Sequence, residues 1–468
     1  MGTAERCDLL IKGGTVFDGT GAAGFRADVA ITGERIAAVG DLADWQAEET
    51  FDAAGKAVAP GFIDTHTHDD MALLRPEGIP EKTAQGVTTV VVGNCGVSPA
   101  PFGPRDDLKE PPFIFLGQGS GRHFDHFGEY RDALAAADPD VHVVTLVGHS
   151  NLRAAAMDDI HRPATESEVA EMRAYLAESM AAGAAGFSTG LAYPSGAAAP
   201  TDEIIELAKV AAAHGGLYAT HMRNEADAVV KSVEEAMEIG AKGGAPVVIS
   251  HHKCGGTANW GKSKETLKRI DAALAGGQSV HLDAYPYTAS STGLMAKFAA
   301  VAERVLVTES DGAPEQAGRD LSDIVADWGC DLETAVERLL PAKAVYFQMS
   351  EADLERILAH PNCMVGSDGM PSDKHPHPRL YGTFPRVLGR YGREKKLFDL
   401  GQAVRKMTGL PASCFGLADR GRLAAGMAAD VVVFSAETVI DQGTYEAPVQ
   451  PPLGIDAVII GGRFRHRH

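Results

Sequence analysis

The sequence predicts an α/β protein: a (β/α)₈ TIM barrel accompanied by a small β-domain that is formed from both termini. Eight short apolar runs recur along the middle of the chain, and stretches with helical patterning lie between them. Continuous apolar runs of this length are typical of strands buried on both faces, as in a parallel sheet. The two ends instead alternate in short β-like stretches with Gly turns, and neither end is long enough to bury a sheet alone.

The barrel prediction depends on counting these runs in order. The eight candidate strands are 61–68, 86–93, 141–148, 183–190, 216–221, 245–252, 279–287 and 362–368. Helical patterning is clearest in 226–242, where an apolar stripe runs among Lys and Glu residues. Eight strands that alternate with helices predict a closed barrel. A long, partly helical insertion at about 288–361 lies between the last two strands, where it is well placed to act as a lid.

The domain boundaries follow from the same patterns. We expect residues 1–60 and 420–468 to form the two parts of the β-domain, and 61–419 to form the barrel with its lid; a second insertion is expected at 96–140. The chain has 468 residues with 43 Lys+Arg against 63 Asp+Glu, a formal net charge of −20. This charge argues against nucleic acid and anionic membranes as partners.

The cysteine content and the hydropathy indicate where the protein works. Six Cys without paired spacing favour a reduced compartment, and no apolar run reaches the roughly 18 to 20 residues that span a bilayer. The start of the chain lacks the apolar region of a signal peptide. We therefore expect a cytoplasmic protein; the sequence does not predict an oligomeric state.

The strongest local motif is His66-Thr67-His68, at the end of the first predicted strand. Residues two apart on a strand face the same side, so both imidazoles can point at one metal ion. A lone motif of this kind is more often two polar residues at a strand end. Here, however, Cys95 follows the second strand, His221 ends the fifth, His251 ends the sixth and Asp368 ends the eighth.

Because the C-terminal ends of barrel strands converge on one mouth, these side chains predict a metal site there. His, Cys and carboxylate donors suit zinc, whose catalytic sites keep one position for water. Asp368 is the candidate base that takes the proton of this water and passes it to a leaving group. The alternative for Asp368 is a helix N-cap. For His149 and His252 a role outside ligation is the simpler interpretation.

Several motifs resemble a known family. GFIDTHTH and the closing GMAADVVVF resemble the amidohydrolase superfamily of metal-dependent barrel hydrolases, although the carboxylated Lys typical of its binuclear members is missing from the fourth strand. VVVGNCGVSPAP, which supplies Cys95, is similar to the N-acyl-D-amino-acid deacylases, and so are GHSNLRAAAM, GFSTGLAYPSG, THMRNEAD, ISHHKCGG, DAYPYTASST and GSDGMPSDKHPHPRLYGTFPRVLGRY. The similarity runs nearly end to end and favours the N-acyl-D-glutamate branch.

The resemblance implies roles for individual residues. Cys95, His221 and His251 would hold a tightly bound zinc, and His66 and His68 would complete a second, weaker site that shares Cys95. Asp368 would be the general base and then the acid. The family's contacts to the substrate α-carboxylate match Lys253, Tyr285, Ser291 and Arg379.

The implied activity is zinc-dependent hydrolysis of the amide bond of N-acyl-D-amino acids to a carboxylate and a free D-amino acid. N-acyl-D-glutamate is favoured, with Lys297 as a candidate cation for the acidic side chain or, alternatively, a surface residue of the lid. D-aspartate, hydrophobic and broad preferences stay open. The rival interpretations are a cyclic-amide hydrolase of the hydantoinase or dihydroorotase kind and a catalytically silent barrel scaffold.

Overall fold

The structure is a computed structural model that describes residues 5–102, 105, 108–116 and 124–467. These residues contain twenty strands. They are β1 (Arg6–Val16), β2 (Phe25–Thr32), β3 (Arg35–Gly40), β4 (Gln46–Asp52), β5 (Ala57–Pro60), β6 (Phe62–Asp64), β7 (Val87–Val92), β8 (His142–Thr145), β9 (Val147–Gly148), β10 (Gly186–Gly190), β11 (Leu217–His221), β12 (Val247–Ile249), β13 (Val280–Ala284), β14 (Ala289–Gly293), β15 (Arg304–Ser310), β16 (Ala342–Phe347), β17 (Cys363–Val365), β18 (Val431–Phe434), β19 (Ile455–Ile460) and β20 (Arg463–Arg467).

Helices alternate with most of these strands. Within the described ranges they are α1 (Pro80–Thr83), α2 (Phe127–Ala137), α3 (His149–Ala156), α4 (Glu166–Ala181), α5 (Pro194–Ala197), α6 (Thr201–Ala213), α7 (Val229–Gly243), α8 (Ser263–Ala275), α9 (Ala296–Ala299), α10 (Leu321–Trp328), α11 (Leu332–Leu339), α12 (Glu351–Ala359), α13 (Arg379–Arg386), α14 (Leu400–Met407) and α15 (Gly409–Cys414). A π-helix, Val387–Glu394, continues α13. None of the described helices is long and apolar enough to cross a membrane.

The centre of the molecule is a parallel barrel. One run of strands has the order β6-β7-β8, and a second has the order β9-β10-β11-β12-β13-β17. β8 and β9 are consecutive parts of one barrel strand, separated by a single residue. The ring closes between β17 and the chain after β6, where Thr67 forms a parallel bridge to Gly369. Each predicted apolar run contains one barrel strand, so the predicted (β/α)₈ architecture is confirmed.

The two ends of the chain share one sheet beside the barrel. Its order is β20-β19-β18-β5-β1-β2-β3, and β4 pairs with β1. The junction is the antiparallel pair of β5 and β18, in which Pro60 lies opposite Val431. Buried Ile11, Val58 and Ile459 contribute to the apolar core of this sheet. The structure thus confirms a small β-domain from both termini, whereas its limits at 60/61 and 419/420 stay a prediction.

The segment between β13 and β17 is partly helical, as predicted, and it also contains strands that were not predicted. It contains an antiparallel sheet, β14-β16-β15, together with α9, α10 and α11. Burial along β14 is continuous, and β15 and β16 are almost fully buried, so the polar alternation that marks a half-exposed strand is absent from the sequence. α12 packs on the barrel elements α8 and β17. The other predicted insertion, 96–140, lies partly outside the described residues.

Candidate active site

The barrel mouth gathers all six predicted metal ligands and acid–base residues. His66 and His68 follow β6, Cys95 follows β7, His221 ends β11, His251 follows β12 and Asp368 follows β17. The ligand atoms form two buried groups in which all atoms lie within 4.8 Å of one another. One group is His66, His68, Cys95 and Asp368; the other is Cys95, His221 and His251. Cys95 belongs to both groups.

Cys95 is surrounded by imidazole nitrogens. Its Sγ lies 3.3 Å from His66 Nε2, 3.7 Å from His221 Nδ1 and 3.4 Å from His251 Nε2. The loop that carries Cys95 is fixed to β10, because Ser188 Oγ accepts a hydrogen bond from the Gly96 amide at 2.9 Å. The thiol is therefore held at the point where the two groups meet.

Backbone strain is concentrated at the same residues. Cys95, His251 and Asp368 have φ of 53°, 34° and 50°, and they are three of the five described non-glycine residues with positive φ. Such conformations cost of order 1–3 kcal/mol each and persist where the surroundings hold them. The Asp368 amide donates to the His66 carbonyl at 2.7 Å, and the His251 amide donates to Asp283 Oδ1 at 2.8 Å. Strain held in this way is typical of functional sites.

Asp368 lies between the imidazoles and a guanidinium. Its Oδ1 is 3.4 Å from His68 Nε2 and 3.6 Å from His66 Nε2, and its Oδ2 is 2.8 Å from Arg379 Nη1. Burial by itself raises the pKa of Asp368, but Arg379 and the imidazoles lower this pKa well below its ordinary value. No helix begins between Asp368 and α13, so the N-cap alternative is wrong for this part of the described chain.

The electrostatics of the cluster favour a cation. Burial raises the pKa of Cys95, yet His66 and His251 lower it well below the ordinary thiol value. Burial lowers the pKa of His68, but hydrogen bonds and charge from Asp368 and Cys95 raise it to about 9. A site that draws protons onto its own imidazole attracts positive charge. Buried sulfur, nitrogen and carboxylate donors at this spacing fit zinc.

The four residues expected to contact a substrate carboxylate also come together. Arg379 is 1 % exposed, donates from Nη2 to the Ser291 carbonyl at 3.0 Å, and lies 4.6 Å from the centroid of the Tyr285 ring. Lys253 Nζ lies 5.8 Å from the same ring. Both cations are already paired, Arg379 with Asp368 at 2.8 Å and Lys253 with Glu225 at 2.7 Å. Sequence reasoning did not anticipate either pair.

A cavity of about 320 Å³ opens above the cluster. From the barrel it is lined by His68, His221, His251, Lys253 and Asp368; from the segment between β13 and β17 it is lined by Ser291, Lys297, Tyr346 and Gln348. A volume of this size suits a small molecule that is largely enclosed. The inserted sheet therefore forms one wall of the site.

Glu225 and Asp283 are site residues that the sequence reasoning missed. Glu225 lies four residues after His221, and Asp283 Oδ1 lies 3.7 Å from His66 Nδ1. Burial raises the pKa of Glu225, but Lys253 and the two imidazoles His221 and His251 lower it well below its ordinary value. Both residues could have been suggested by the sequence, because they lie at or shortly after predicted strands whose C-terminal ends converge on the barrel mouth.

Two other histidines lie outside both ligand groups. His252 Nε2 is 2.8 Å from Thr266 Oγ1, and burial lowers the pKa of His252 to about 4. His149 Nε2 is 2.8 Å from Glu203 Oε1. Alternation along the chain after β12 therefore separates His251, which faces the cluster, from its neighbour His252.

Comparison with known proteins identifies relatives over almost the whole chain. A model of the amidohydrolase family matches residues 49–466. Three proteins of Alcaligenes xylosoxydans xylosoxydans are similar: an N-acyl-D-glutamate deacylase (51% identity; 98% of this chain and 93% of the relative), a D-aminoacylase (50%; 97% and 93%) and an N-acyl-D-aspartate deacylase (48%; 98% and 92%). Such close identities do not separate the three side-chain preferences.

Two solved structures have the same architecture throughout. An N-acyl-D-glutamate deacylase from Bordetella bronchiseptica, complexed with zinc and a phosphonate that mimics the tetrahedral intermediate, has a TM-score of 0.95 at 48% identity, covering 98% of this chain and 96% of that one. A D-aminoacylase with a binuclear metal centre, described by one-metal activation and second-metal attenuation, has a TM-score of 0.95 at 49% identity, covering 98% and 97%.

Proposed function

The chain belongs to the amidohydrolase family, and from this premise we propose that it hydrolyses the amide bond of N-acyl-D-amino acids. The products are a carboxylate and a free D-amino acid. One observation carries the proposal: three imidazoles of the donor cluster, those of His68, His221 and His251, line one cavity together with Asp368 and Lys253. The similar deacylases and the zinc complex support the same reaction class.

Zinc is the metal that fits this cluster. Cys95, His221 and His251 would hold the tightly bound ion, and His66 and His68 would complete a weaker site that shares Cys95. Bound zinc supplies a Lewis acid for the acyl carbonyl and lowers the pKa of water. The D-aminoacylase described by one-metal activation supports a single working ion.

Asp368 would move the proton. The carboxylate, kept ionised by Arg379, accepts a proton from the water whose oxygen attacks the acyl carbon. When the bond between the acyl carbon and nitrogen breaks, Asp368 returns this proton to the departing nitrogen, so the amine leaves neutral. The position of Asp368 between the imidazoles and Arg379 suits this exchange, since the carboxylate contacts both.

Stereochemical selection would come from three fixed points around Cα. The acyl carbonyl of the substrate would lie at the donor cluster, and its side chain would lie in the cavity. Its α-carboxylate would be bound by Arg379 and Lys253, together with Tyr285 and Ser291. Arg offers a planar fork for a carboxylate, and Lys a compact charge. An L-isomer would satisfy two of the points at once, so it would fail in orientation more than in binding.

The test is release of free amine from matched N-acetyl-D- and N-acetyl-L-amino acids, with zinc supplied. We expect turnover of one or more D-isomers, while the L-isomers stay inert. Inert D-isomers with zinc shown to be bound would contradict the proposal. Cyclic amides and D-dipeptides would then be the substrates to test.

The preference for N-acyl-D-glutamate rests on Lys297. The cavity is lined by three cations, of which Arg223 pairs with Glu235 and Lys253 with Glu225. Among the described residues, no carboxylate lies within 4.0 Å of Lys297 Nζ, which donates to the Ala192 carbonyl. Lys297 is exposed and lines the cavity, so its charge would be available to the carboxylate of a substrate side chain.

Replacement of Lys297 tests this preference. We expect Lys297→Gln to lower kcat/KM for N-acetyl-D-glutamate about tenfold or more, since a hydrogen bond to a charged group contributes about 1.5–3 kcal/mol. Turnover of N-acetyl-D-leucine should change less than about twofold by the same reasoning, because an apolar side chain makes no such bond. Lys297→Arg is the matched control and should keep the preference. Equal losses on both substrates would contradict the role of Lys297.

The location and partners stay predictions. We infer a cytoplasmic enzyme with a small-molecule substrate and neither nucleic acid nor membrane as a partner. The net charge of −20 and the isolated cysteines support this inference.

A further inference from the structure

Lys82 lies in helix α1, next to the point where the barrel closes. Its side chain is fully buried, and its ammonium group donates to Asp64 Oδ2 at 2.8 Å, to Thr67 Oγ1 at 2.8 Å and to Ser367 Oγ at 2.7 Å. An ammonium group has three N–H donors and no acceptor, so these bonds use its full capacity. Burial lowers the pKa of Lys82, but Asp64 and Asp69, whose Oδ2 lies 3.4 Å from Nζ, raise it above its ordinary value. The ammonium group is therefore charged and held in one position.

The three acceptors belong to the two strands between which the ring closes. Asp64 ends β6, Thr67 lies between the two histidines that follow β6, and Ser367 follows β17, directly before Asp368. In the described chain these strands end separate runs of the barrel sheet, and the isolated bridge from Thr67 to Gly369 joins them. The ammonium group thus adds side-chain hydrogen bonds where backbone pairing between the strands is sparse.

The groups bound by the ammonium also hold the backbone around Asp368. Thr67 Oγ1 donates to the Gly369 carbonyl at 3.3 Å. Ser367 Oγ accepts from the Gly369 amide at 3.1 Å and donates to Asp64 Oδ2 at 2.5 Å, while the Ser367 amide donates to Asp64 Oδ1 at 2.8 Å. Asp368, whose φ is 50°, lies between these two residues. Its strained backbone is therefore held on both sides by groups that the ammonium orients.

We propose that Lys82 is a positioning residue that fixes the spacing between Asp368 and the histidines that follow β6. The inference rests on the proposed zinc site and on the proposed role of Asp368. The donor group that contains Asp368 draws its members from the ends of β6, β7 and β17, whereas the group of the tight zinc draws them from β7, β11 and β12. Among the described residues, the polar contacts of Lys82 Nζ lie at β6 and β17, and none lies at β11 or β12. Loss of Lys82 should therefore disturb the weaker site and the proton transfer, and leave the tight site intact.

The primary measurement is the affinity for a first and a second zinc ion, by competition with a chelator, which needs no substrate. We expect Lys82→Met to weaken the second ion about tenfold or more and to leave the first within about twofold, because only the weaker site depends on the spacing that Lys82 fixes. Equal weakening of both ions, or wild-type affinity for both, would overturn the proposal.

The matched control is Lys406→Met. Lys406 is also a buried lysine, and it donates to the Cys363 carbonyl at 3.3 Å, at the opposite end of β17 from Ser367. This variant should lower stability and leave both zinc affinities unchanged, since it does not reach the barrel mouth. A selective loss of the second ion in Lys406→Met would show that destabilisation alone causes the effect, and would overturn the proposal.

Kinetics supply a second readout. Lys82→Met should lower kcat for the best D-substrate about tenfold or more, because misplacement of a catalytic group by about 1 Å can cost 10²-fold. KM should stay within about twofold by the same reasoning, since Lys82 does not contact the expected α-carboxylate site. A raised KM with unchanged kcat would contradict the role of Lys82 in placing Asp368.

A milder variant serves if Lys82→Met does not fold, since that change leaves buried Asp64 without its cation. Ser367→Ala removes one acceptor, keeps the ion pair of Lys82 with Asp64 and should show the same pattern with smaller changes. Should the wild type bind a single ion, crystal structures decide: the distance from Asp368 Oδ1 to His68 Nε2, 3.4 Å here, should lengthen by about 1 Å in the variant, and an unchanged distance would overturn the proposal. Inert D-substrates with the wild type would refute the proposed function and leave the zinc and distance measurements valid.

Discussion

Two clusters in this molecule each contain a carboxylate, an imidazole and a cationic side chain, but only one of them borders the cavity. At the barrel mouth, Glu225 lies between His251 and Lys253, at 3.1 and 2.7 Å. Close to the start of α3, Glu203 accepts from His149 at 2.8 Å, and its Oε2 accepts from Arg153 at 2.7 Å. In both clusters a carboxylate that is at most 14% exposed meets an imidazole and a cation.

The two clusters differ in what surrounds their imidazoles and cationic side chains. Arg153 also donates to the Ile160 carbonyl at 3.0 Å, and both His149 and Arg153 are fully buried, so the Glu203 cluster is closed. In the other cluster, the second nitrogen of His251 faces Cys95, and a cavity reaches Lys253. The same residue types thus stabilise the fold or prepare chemistry according to what the imidazole faces and whether a ligand can enter.

The largest effect should come from removing Cys95, the group that distinguishes the open cluster. We expect Cys95→Ala to lose the tight zinc, because such a site has three protein ligands and this one would keep two. Zinc content after dialysis should fall to near zero, and turnover with it. Cys363→Ala is the control, since Cys363 is buried but belongs to neither ligand group. Unchanged zinc content in Cys95→Ala would contradict the shared-thiolate site.

The second largest loss of activity should come from replacing Asp368. The closed cluster has no residue that corresponds to Asp368. Asp368→Asn keeps the shape of the side chain but cannot take a proton, so turnover of the best D-substrate should fall by at least ~10². Zinc content should stay close to that of the wild type, whereas thermal unfolding should shift to lower temperature, because buried Arg379 loses its charged partner. A folded, zinc-loaded variant with full activity would remove Asp368 from the mechanism.

The smallest effect on activity should come from the closed cluster itself. Burial raises the pKa of Glu203, but His149 and Arg153 lower it to about 2. A depressed carboxyl pKa stabilises the fold above the unfolded value of about 4.5, and this contribution is lost as the pH falls toward 2. We expect Glu203→Gln to lower the free energy of unfolding by about 3 kcal/mol at pH 7.

Denaturant unfolding at pH 7, 4 and 3 checks this sign. The difference in unfolding free energy between the wild type and Glu203→Gln should shrink as the pH falls below about 4.5. Zinc content and kcat should stay within about twofold, because no metal ligand loses its partner in this variant. A loss of zinc in Glu203→Gln would break the distinction between the two clusters.

The barrel and the ligand types could be predicted because each depends on local periodicity and one topological rule. Continuous apolar runs mark strands buried on both faces, and parallel strands place their C-terminal ends at one mouth. His66, Cys95, His221, His251 and Asp368 could therefore be grouped without coordinates. The strands β14, β15 and β16 were missed because they lack long apolar runs: β14 consists of small and polar residues, and the continuous apolar runs of β15 and β16 are only three and four residues long.

The sequence by itself determined the fold class, the small β-domain from both termini and the donor set at the strand ends. Only the tertiary structure decided that Glu225 faces two imidazoles, that Arg379 pairs with Asp368, and that Lys297 lines the cavity with no described carboxylate within 4.0 Å of its Nζ. The physical reason is that spacing along a strand fixes the face on which a side chain lies. Distances between side chains on different loops depend on rotamers and on packing across the barrel.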